Sequence, residues 1–330
     1  MGVPNIRIAV LADIHGNMPA LTAVLGKLEE LQPDYVIVNG DLINAVPFSA
    51  DVVELIRAKP WTVVRGNHEF YYLDFGTERA AEGSADPTRW GGLHWLVEQI
   101  TPSQGAFLAM LPDDCSIYLP GTQPLRVAHG VPGRNRVGFY HGQSADDIVK
   151  DIDNIELSTV LSAHTHVQVD RHICRLDGEV CDLEPRVQHH GSLPTVQTAQ
   201  HWHVVNPGSV GLPLNGSPTV QFAIIESVPE SEEPGGWKAM HYQVPYDRRP
   251  ALEAFYTSGL LEAGGVIAEL FYWELVTAEP EIILYYRWAR ARDLDPDSDM
   301  VGVFEQYATR SGRRRYVRAK DPLYSSTATK

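Results

Sequence analysis

Seven side chains with metal-ligand chemistry lie between positions 13 and 166, each just past the end of an apolar, strand-like run: Asp13, His15, Asp41, Asn67, His129, His164 and His166. The mixture suits a pair of divalent cations. Two cations roughly 3.5–4 Å apart bind phosphate oxygens and lower the pKa of a shared water, so that hydroxide exists near neutral pH. Holding both ions requires a ligand that bridges them, usually a carboxylate with its two oxygens, and Asp41, central in the set, is the candidate. Imidazole, carboxylate and carboxamide donors together favour two ions of manganese, iron, zinc or a similar metal over calcium, which prefers all-oxygen shells. The chemistry to expect is hydrolysis of a small phosphorylated substrate. Taken singly, an Asp or His after a strand is more often a turn former or a helix cap. Only the joint pattern reverses that reading.

Strands that end together can pool their loops, and the elements around these residues have that form. The runs 6–11, 35–38, 61–64, 125–128 and 159–162 are short, β-branched and followed by polar turns. Residues 18–31 carry Leu21, Val24, Leu25 and Leu28 at helical spacing, and 51–59 carry Val52, Val53, Leu55 and Ile56, so two helices should flank the sheet. Asn17, two residues before Pro19, reads as the cap of the first helix. From Phe70 to Leu111 the strand pattern stops and Tyr71, Tyr72, Phe75, Trp90, Trp95 and Phe107 cluster. Packing between helices is the commoner use of such residues than stacking on a base, so no nucleotide substrate is inferred. Further strands over 219–225 and 238–244 should complete a second sheet, and three helical pieces follow, around 252–256, 266–276 and 282–292.

The stretches Asp13-Ile14-His15-Gly16-Asn17, Gly40-Asp41, Gly66-Asn67-His68-Glu69, His129-Gly130, Ala163-His164-Thr165-His166 and Asn206-Pro207-Gly208-Ser209 resemble the calcineurin-like metallophosphoesterase superfamily, most closely its compact bacterial and archaeal phosphodiesterase branch. The resemblance implies an α/β fold, a four-layer αββα sandwich of two mixed β-sheets flanked by helices. It implies a metallophosphoesterase domain over 1–247, leaving 248–330 as a helical C-terminal extension with a flexible tail. By motif, Asp13, His15 and His166 would hold one metal, Asn67, His129 and His164 the other, and Asp41 would join them. His68 would face the substrate and stabilise or protonate the leaving oxygen while metal-bound hydroxide attacks in line. A phosphodiester is favoured over a monoester by the branch alone; the rivals are a phosphomonoesterase and a non-catalytic binding scaffold on the same fold.

Three departures bear on this. Ala163 stands where the family has glycine, which removes no ligand. The segment Leu42-Ile43-Asn44-Ala45-Val46 lacks the arginine with which phosphoprotein phosphatases clamp their substrate. Asn44 replaces the aspartate that orients the histidine in that group, so another acceptor, or water, should orient His68. Arg134, shortly after His129, is a candidate for a bidentate contact with a phosphate oxygen.

The 330 residues suffice for a full core, and the formal net charge of −15 argues against general nucleic-acid binding and against anionic membranes. With no 20-residue apolar run and no secretory signal, a cytoplasmic location is expected. Cys174 and Cys181 sit symmetrically about the Asp177-Gly178 turn and should face each other as free thiols across a hairpin. His172, His189, His190, His201 and His203 read as surface histidines, and Arg313-Arg314-Arg315 as a solvated basic run. The extension could cover a face of the sandwich, form a homo-oligomer contact or shape the cleft entrance.

Overall fold

The computed structural model describes residues 4–183 and 200–325. The strands are β1 (Arg7–Leu11), β2 (Tyr35–Asn39), β3 (Thr62–Val64), β4 (Asp114–Ile117), β5 (Leu125–Ala128), β6 (Thr159–Leu161), β7 (Gln168–Leu176), β8 (Glu179–Leu183), β9 (Gln200–Pro207), β10 (Val220–Ser227) and β11 (Trp237–Val244). The helices are α1 (Met18–Leu31), α2 (Ser49–Arg57), α3 (Asn67–Asp74), α4 (Pro87–Gln99), α5 (Pro102–Met110), α6 (Ala145–Ile152), α7 (Arg249–Thr257), α8 (Leu260–Thr277), α9 (Glu281–Arg290), α10 (Met300–Arg310), α11 (Arg313–Lys320) and α12 (Pro322–Ser325).

Two mixed sheets face each other. One runs β11-β10-β1-β2-β3 and the other β4-β5-β6-β9-β7-β8. Ile8, Val10, Ile37 and Val64 of the first sheet meet Leu125, Val127, Leu161 and Val205 of the second in a dry layer between them. Alternate residues on the outer face of the first sheet, such as Ala9, Leu11 and Val38, pack on Leu21, Val24 and Leu28 of α1 and on Val52, Val53 and Ile56 of α2. Val160, Trp202 and Val204 pack on Ile148, Val149 and Ile152 of α6 outside the second sheet. The period-2 alternation thus serves both layers at once. Asn17 caps α1 as expected, its Oδ1 accepting from Ala20 N at 3.1 Å.

One sheet assignment needs correction. The strands at 219–225 and 238–244 do not complete a second sheet: β10 runs antiparallel to β1, and β11 pairs with β10, so both extend the first sheet. Buried almost throughout, β10 is suited to its interior place there. Cys174 and Cys181 pair across the β7–β8 hairpin as free cysteines.

The histidines after β6 also differ from expectation. His203 is fully buried, donating from Nε2 to Asp170 Oδ1 at 2.8 Å, and its ring stacks on that of His172 with centroids 3.9 Å apart. His172 lies 2.9 Å from Glu233 and 3.2 Å from His201. Only His203 of these three leaves solvent, with Asp170 as its polar partner, while the partly exposed His172 pairs with Glu233 of the β10–β11 connection. His189 and His190 lie outside the described residues. The basic run is not simply solvated: Arg313 forms ion pairs with Glu279 and Glu281, and Arg314 with Glu305 at 2.7 Å.

Helices α7 to α11 share an apolar core with Ala45, Val46 and Leu212, which sit on the loops after β2 and β9. The extension therefore packs at the strand ends where the candidate site lies.

Candidate metal centre

The loops after β1, β2, β3, β5 and β6 converge, and backbone hydrogen bonds tie them together. Asp13 N donates to Gly40 O, His15 N to Asp41 O at 2.9 Å, and Ala163 N to His129 O at 2.7 Å. The Asn206 to Ser209 segment braces this assembly: Asn206 Nδ2 donates to Ala163 O and Thr165 Oγ1, and Ser209 Oγ donates to Asp13 O at 2.8 Å.

All seven expected ligands meet here in two groups with one member in common. Asp13, His15, Asp41 and His166 bring donor atoms within 4.8 Å of one another, and so do Asp41, His129 and His164. In the first group His15 Nε2 is 3.0 Å from His166 Nε2 and 3.6 Å from Asp41 Oδ2, while His166 Nε2 is 3.5 Å from Asp13 Oδ1. In the second, His129 Nε2 is 3.2 Å from Asp41 Oδ2, and Asn67 Oδ1 lies 3.1 Å from His129 Nε2 and 2.8 Å from His164 Nδ1. Donors about 2.0–2.2 Å from one cation stand roughly 3–3.5 Å apart, so these separations suit two ions.

The two oxygens of Asp41 have different duties. Oδ1 accepts from His68 N at 2.8 Å, and it is Oδ2 that faces His15 and His129. Oδ2 is thus the atom of Asp41 common to both groups of donors.

Buried polar atoms offer an independent test of fit. Both oxygens of Asp13 are buried without a hydrogen-bond partner, as is His15 Nδ1. A fully buried carboxylate with no partner is costly enough to demand an explanation, which a cation provides. The imidazoles are prepared for one. His129 Nδ1 donates to Asn39 O at 2.8 Å and His166 Nδ1 to Leu212 O at 2.6 Å, which turns each Nε2 lone pair toward the centre. Burial is the main cause holding His15 well below the ordinary imidazole value, His164 at about 4 and His166 at about 3, so these three are neutral. Burial also pushes Asp13 well up. At His129 burial acts downward but is outweighed by the charge of Asp41 and its hydrogen bond, and the pKa rises to about 10.

Five of the seven candidates, Asp13, His15, Asp41, His164 and His166, have positive φ between 51° and 70°. The left-handed region costs a non-glycine residue free energy and is uncommon, so its concentration here marks a site whose geometry overrides local preference. Ala163 is not among these positions, which is why an alanine can stand there. Gly66 is required for a different reason: a Cβ on it would fall 2.1 Å from Asp41 Oδ1.

His68 lies beside the centre, its Nε2 3.9 Å from Asp41 Oδ2. Asn44 orients it, contrary to the expectation that another acceptor or water must do so. Asn44 Oδ1 accepts from Ala45 N at 2.7 Å, which leaves Nδ2 as the atom 2.7 Å from His68 Nδ1. The amide donates, Nδ1 accepts, and the ring proton of neutral His68 resides on Nε2.

Arg134 does not join this group. Its guanidinium pairs with Asp151 on α6. Arg136, which the sequence reading passed over, stacks on the Tyr71 ring at 4.6 Å, and that ring meets His68 edge-on at 5.5 Å. Burial is the main cause that holds the His68 pKa down against the charge of Asp41, with His129 and then Arg136 adding to it.

Glu69, the last residue of the Gly66-Asn67-His68-Glu69 motif, fastens two of the loops. Its carboxylate accepts from Asp41 N, Leu42 N, Ile43 N and Gly66 N at 2.9, 2.8, 3.3 and 2.7 Å. Burial and the charge of Asp41 nevertheless raise its pKa to about 7. Glu69→Gln turns an amide NH₂ toward backbone donors and is expected to cost about 3 kcal/mol. Chemical denaturation measures this directly, and an unchanged midpoint would remove the fastening role.

Residues 6–168 match the family model described as calcineurin-like phosphoesterase, and this part of the chain, which carries the fold and the candidate site, belongs to that family. It is similar to an uncharacterized protein of Methanocaldococcus jannaschii, 24% identical over 257 residues that cover 77% of this chain and 94% of the relative. Among solved structures, a metallophosphoesterase from Sphaerobacter thermophilus shares the fold with a TM-score of 0.59 and 22% identity, covering 83% of this chain and all (100%) of its own. A hypothetical protein from Pyrococcus horikoshii does so with a TM-score of 0.58 and 18% identity, covering 81% and 98%. No helix among the described residues is long and apolar enough to cross a membrane.

Proposed function

We propose that this chain is a dinuclear metal-dependent phosphodiesterase. The observation that carries the reading is Asp41 Oδ2, common to two groups of buried donors and 3.9 Å from the Nε2–H of His68. Divalent cations held there would supply Lewis acidity and a water of lowered pKa. The chain's own part is to direct the ester. Asp41 Oδ1 anchors the backbone of His68, Asn44 fixes its tautomer, and Nε2–H is placed to donate to the leaving oxygen. Arg134 is committed to Asp151, so it takes no part in this reading. A diester is favoured over a monoester by the resemblance of the motifs to the compact bacterial and archaeal phosphodiesterase branch alone.

Metal titration is the test. The purified chain should take up two manganese ions and hydrolyse bis-p-nitrophenyl phosphate faster than p-nitrophenyl phosphate. One ion at saturation would refute the dinuclear reading, and the reverse substrate order would favour a phosphomonoesterase. The titration should also depend on pH. Because the His129 pKa is raised to about 10, binding at lower pH must displace its proton, and affinity should fall up to about tenfold per unit as pH drops from about 9 to 6. Calorimetry in buffers of different ionisation enthalpy counts the released protons; zero release would contradict the assignment of His129.

A further inference from the structure

A cavity of about 420 Å³ opens beside His68, and most of its wall does not come from the strand-end loops. Trp90 and Leu93 of α4 form one side, Ile267 and Phe271 of α8 a second, and Ile282 and Tyr286 of α9 a third. Ile267 and Phe271 are one helical turn apart, as are Ile282 and Tyr286, so each helix presents a stripe to the cavity. The C-terminal extension thus builds much of a chamber that the metal ligands themselves do not define.

The contact that brings α8 into place is specific. Gly91 of α4 lies so close to α8 that a Cβ on it would be 1.9 Å from Ala263 O. The missing side chain permits the two backbones to approach, and the small residues that follow in each helix, Gly92 and Gly264, continue the contact.

We propose that this cavity receives an aromatic leaving group of the ester. The inference rests on the phosphodiesterase reading and gives its substrate a class. Two observations fix the class. The chamber is continuous with His68, so an alcohol departing past Nε2–H enters it, and its walls carry aromatic and branched aliphatic side chains suited to a flat apolar ring. Arg89 also lines it, its guanidinium held in place by Asp297 at 2.7 Å.

The test uses phosphonate monomethyl esters, diester mimics in which CH₂ replaces the leaving-group oxygen, so that binding is read without turnover. On the manganese-loaded chain, calorimetry should find methyl benzylphosphonate bound on the order of 30-fold more tightly than methyl ethylphosphonate, from the added ring burial. Phe271→Ala removes one wall and Ile282→Trp fills the space; each should bring that ratio below about fivefold. Far-UV circular dichroism identifies a variant that fails to fold, and the ratio in the unmodified protein stands without either. Equal affinity of the two ligands, or a ratio unchanged in both folded variants, overturns the proposal while leaving the metal-site reading intact. Failure of both ligands to bind the loaded protein overturns the two together.

Discussion

Asp41→Asn is expected to reduce turnover on the order of 10⁴-fold and to leave at most one metal ion bound per chain. The argument follows from the unequal duties of the carboxylate oxygens. If the amide oxygen keeps the hydrogen bond from His68 N, now 2.8 Å, the NH₂ group faces His15 and His129 and cannot serve as a ligand. If the amide turns over, its oxygen faces the centre, but NH₂ then opposes the His68 N–H and the loop carrying Asn67 and His68 loses its anchor. Either orientation also removes the one negative charge common to both groups. Metal analysis after dialysis, together with turnover under added manganese, reads both effects. Two tightly held ions with near-normal turnover would show that Asp41 is not the shared ligand.

The candidate ligands are legible because they are punctuated: each follows a short β-branched run, and parallel strands carry their ends to one side of a sheet. The division of labour within Asp41 was not legible. Residue type gives two equivalent oxygens, and only the converging loop after β3 makes them different. Left-handed backbone at five candidate ligands was equally hidden, because no spacing rule states φ. Glu69 offered no signal beyond its place in a motif, since its four backbone partners come from two separate loops.

Sheet membership failed for a related reason. The apolar pattern of 219–225 marks a strand but does not name its neighbour, and β10 pairs with β1 from more than two hundred residues away. The buried histidine is the same problem in a side chain. His203 looks polar in sequence, and the residues that accommodate it, Asp170, His172 and Glu233, are supplied by other strands and a turn. The aromatic residues of 70–111 point in sequence to helix packing, and several do pack so. Tyr71 and Trp90 also border the chamber beside His68, a second role that appears only when α8 and α9 close its far side.

His68→Ala should retain both metal ions while lowering turnover about 10³-fold, the magnitude expected for loss of a placed acid or hydrogen-bond donor. Metal retention follows from position: His68 contributes no atom to either donor group, and its backbone N–H to Asp41 survives in alanine. The hydrogen-bond pattern refines the expectation. Because Asn44 donates to Nδ1, His68 is held as a neutral Nε2–H donor, and a neutral imidazole stabilises a departing oxyanion better than it surrenders its proton. The defect in His68→Ala should therefore persist for aryl esters, whose oxygens leave without full protonation, and Asn44→Ala should show a smaller loss because the ring keeps its backbone anchor. Asn44→Asp offers the opposite electronic arrangement: a carboxylate accepts from Nδ1–H, favours the imidazolium and should improve alkyl esters relative to aryl ones. Comparing aryl and alkyl leaving groups across these three variants separates the roles. If His68→Ala turns over like the unmodified chain, the histidine has no part in the reaction; if Asn44→Asp leaves the aryl-to-alkyl ratio unchanged, the tautomer does not set leaving-group preference.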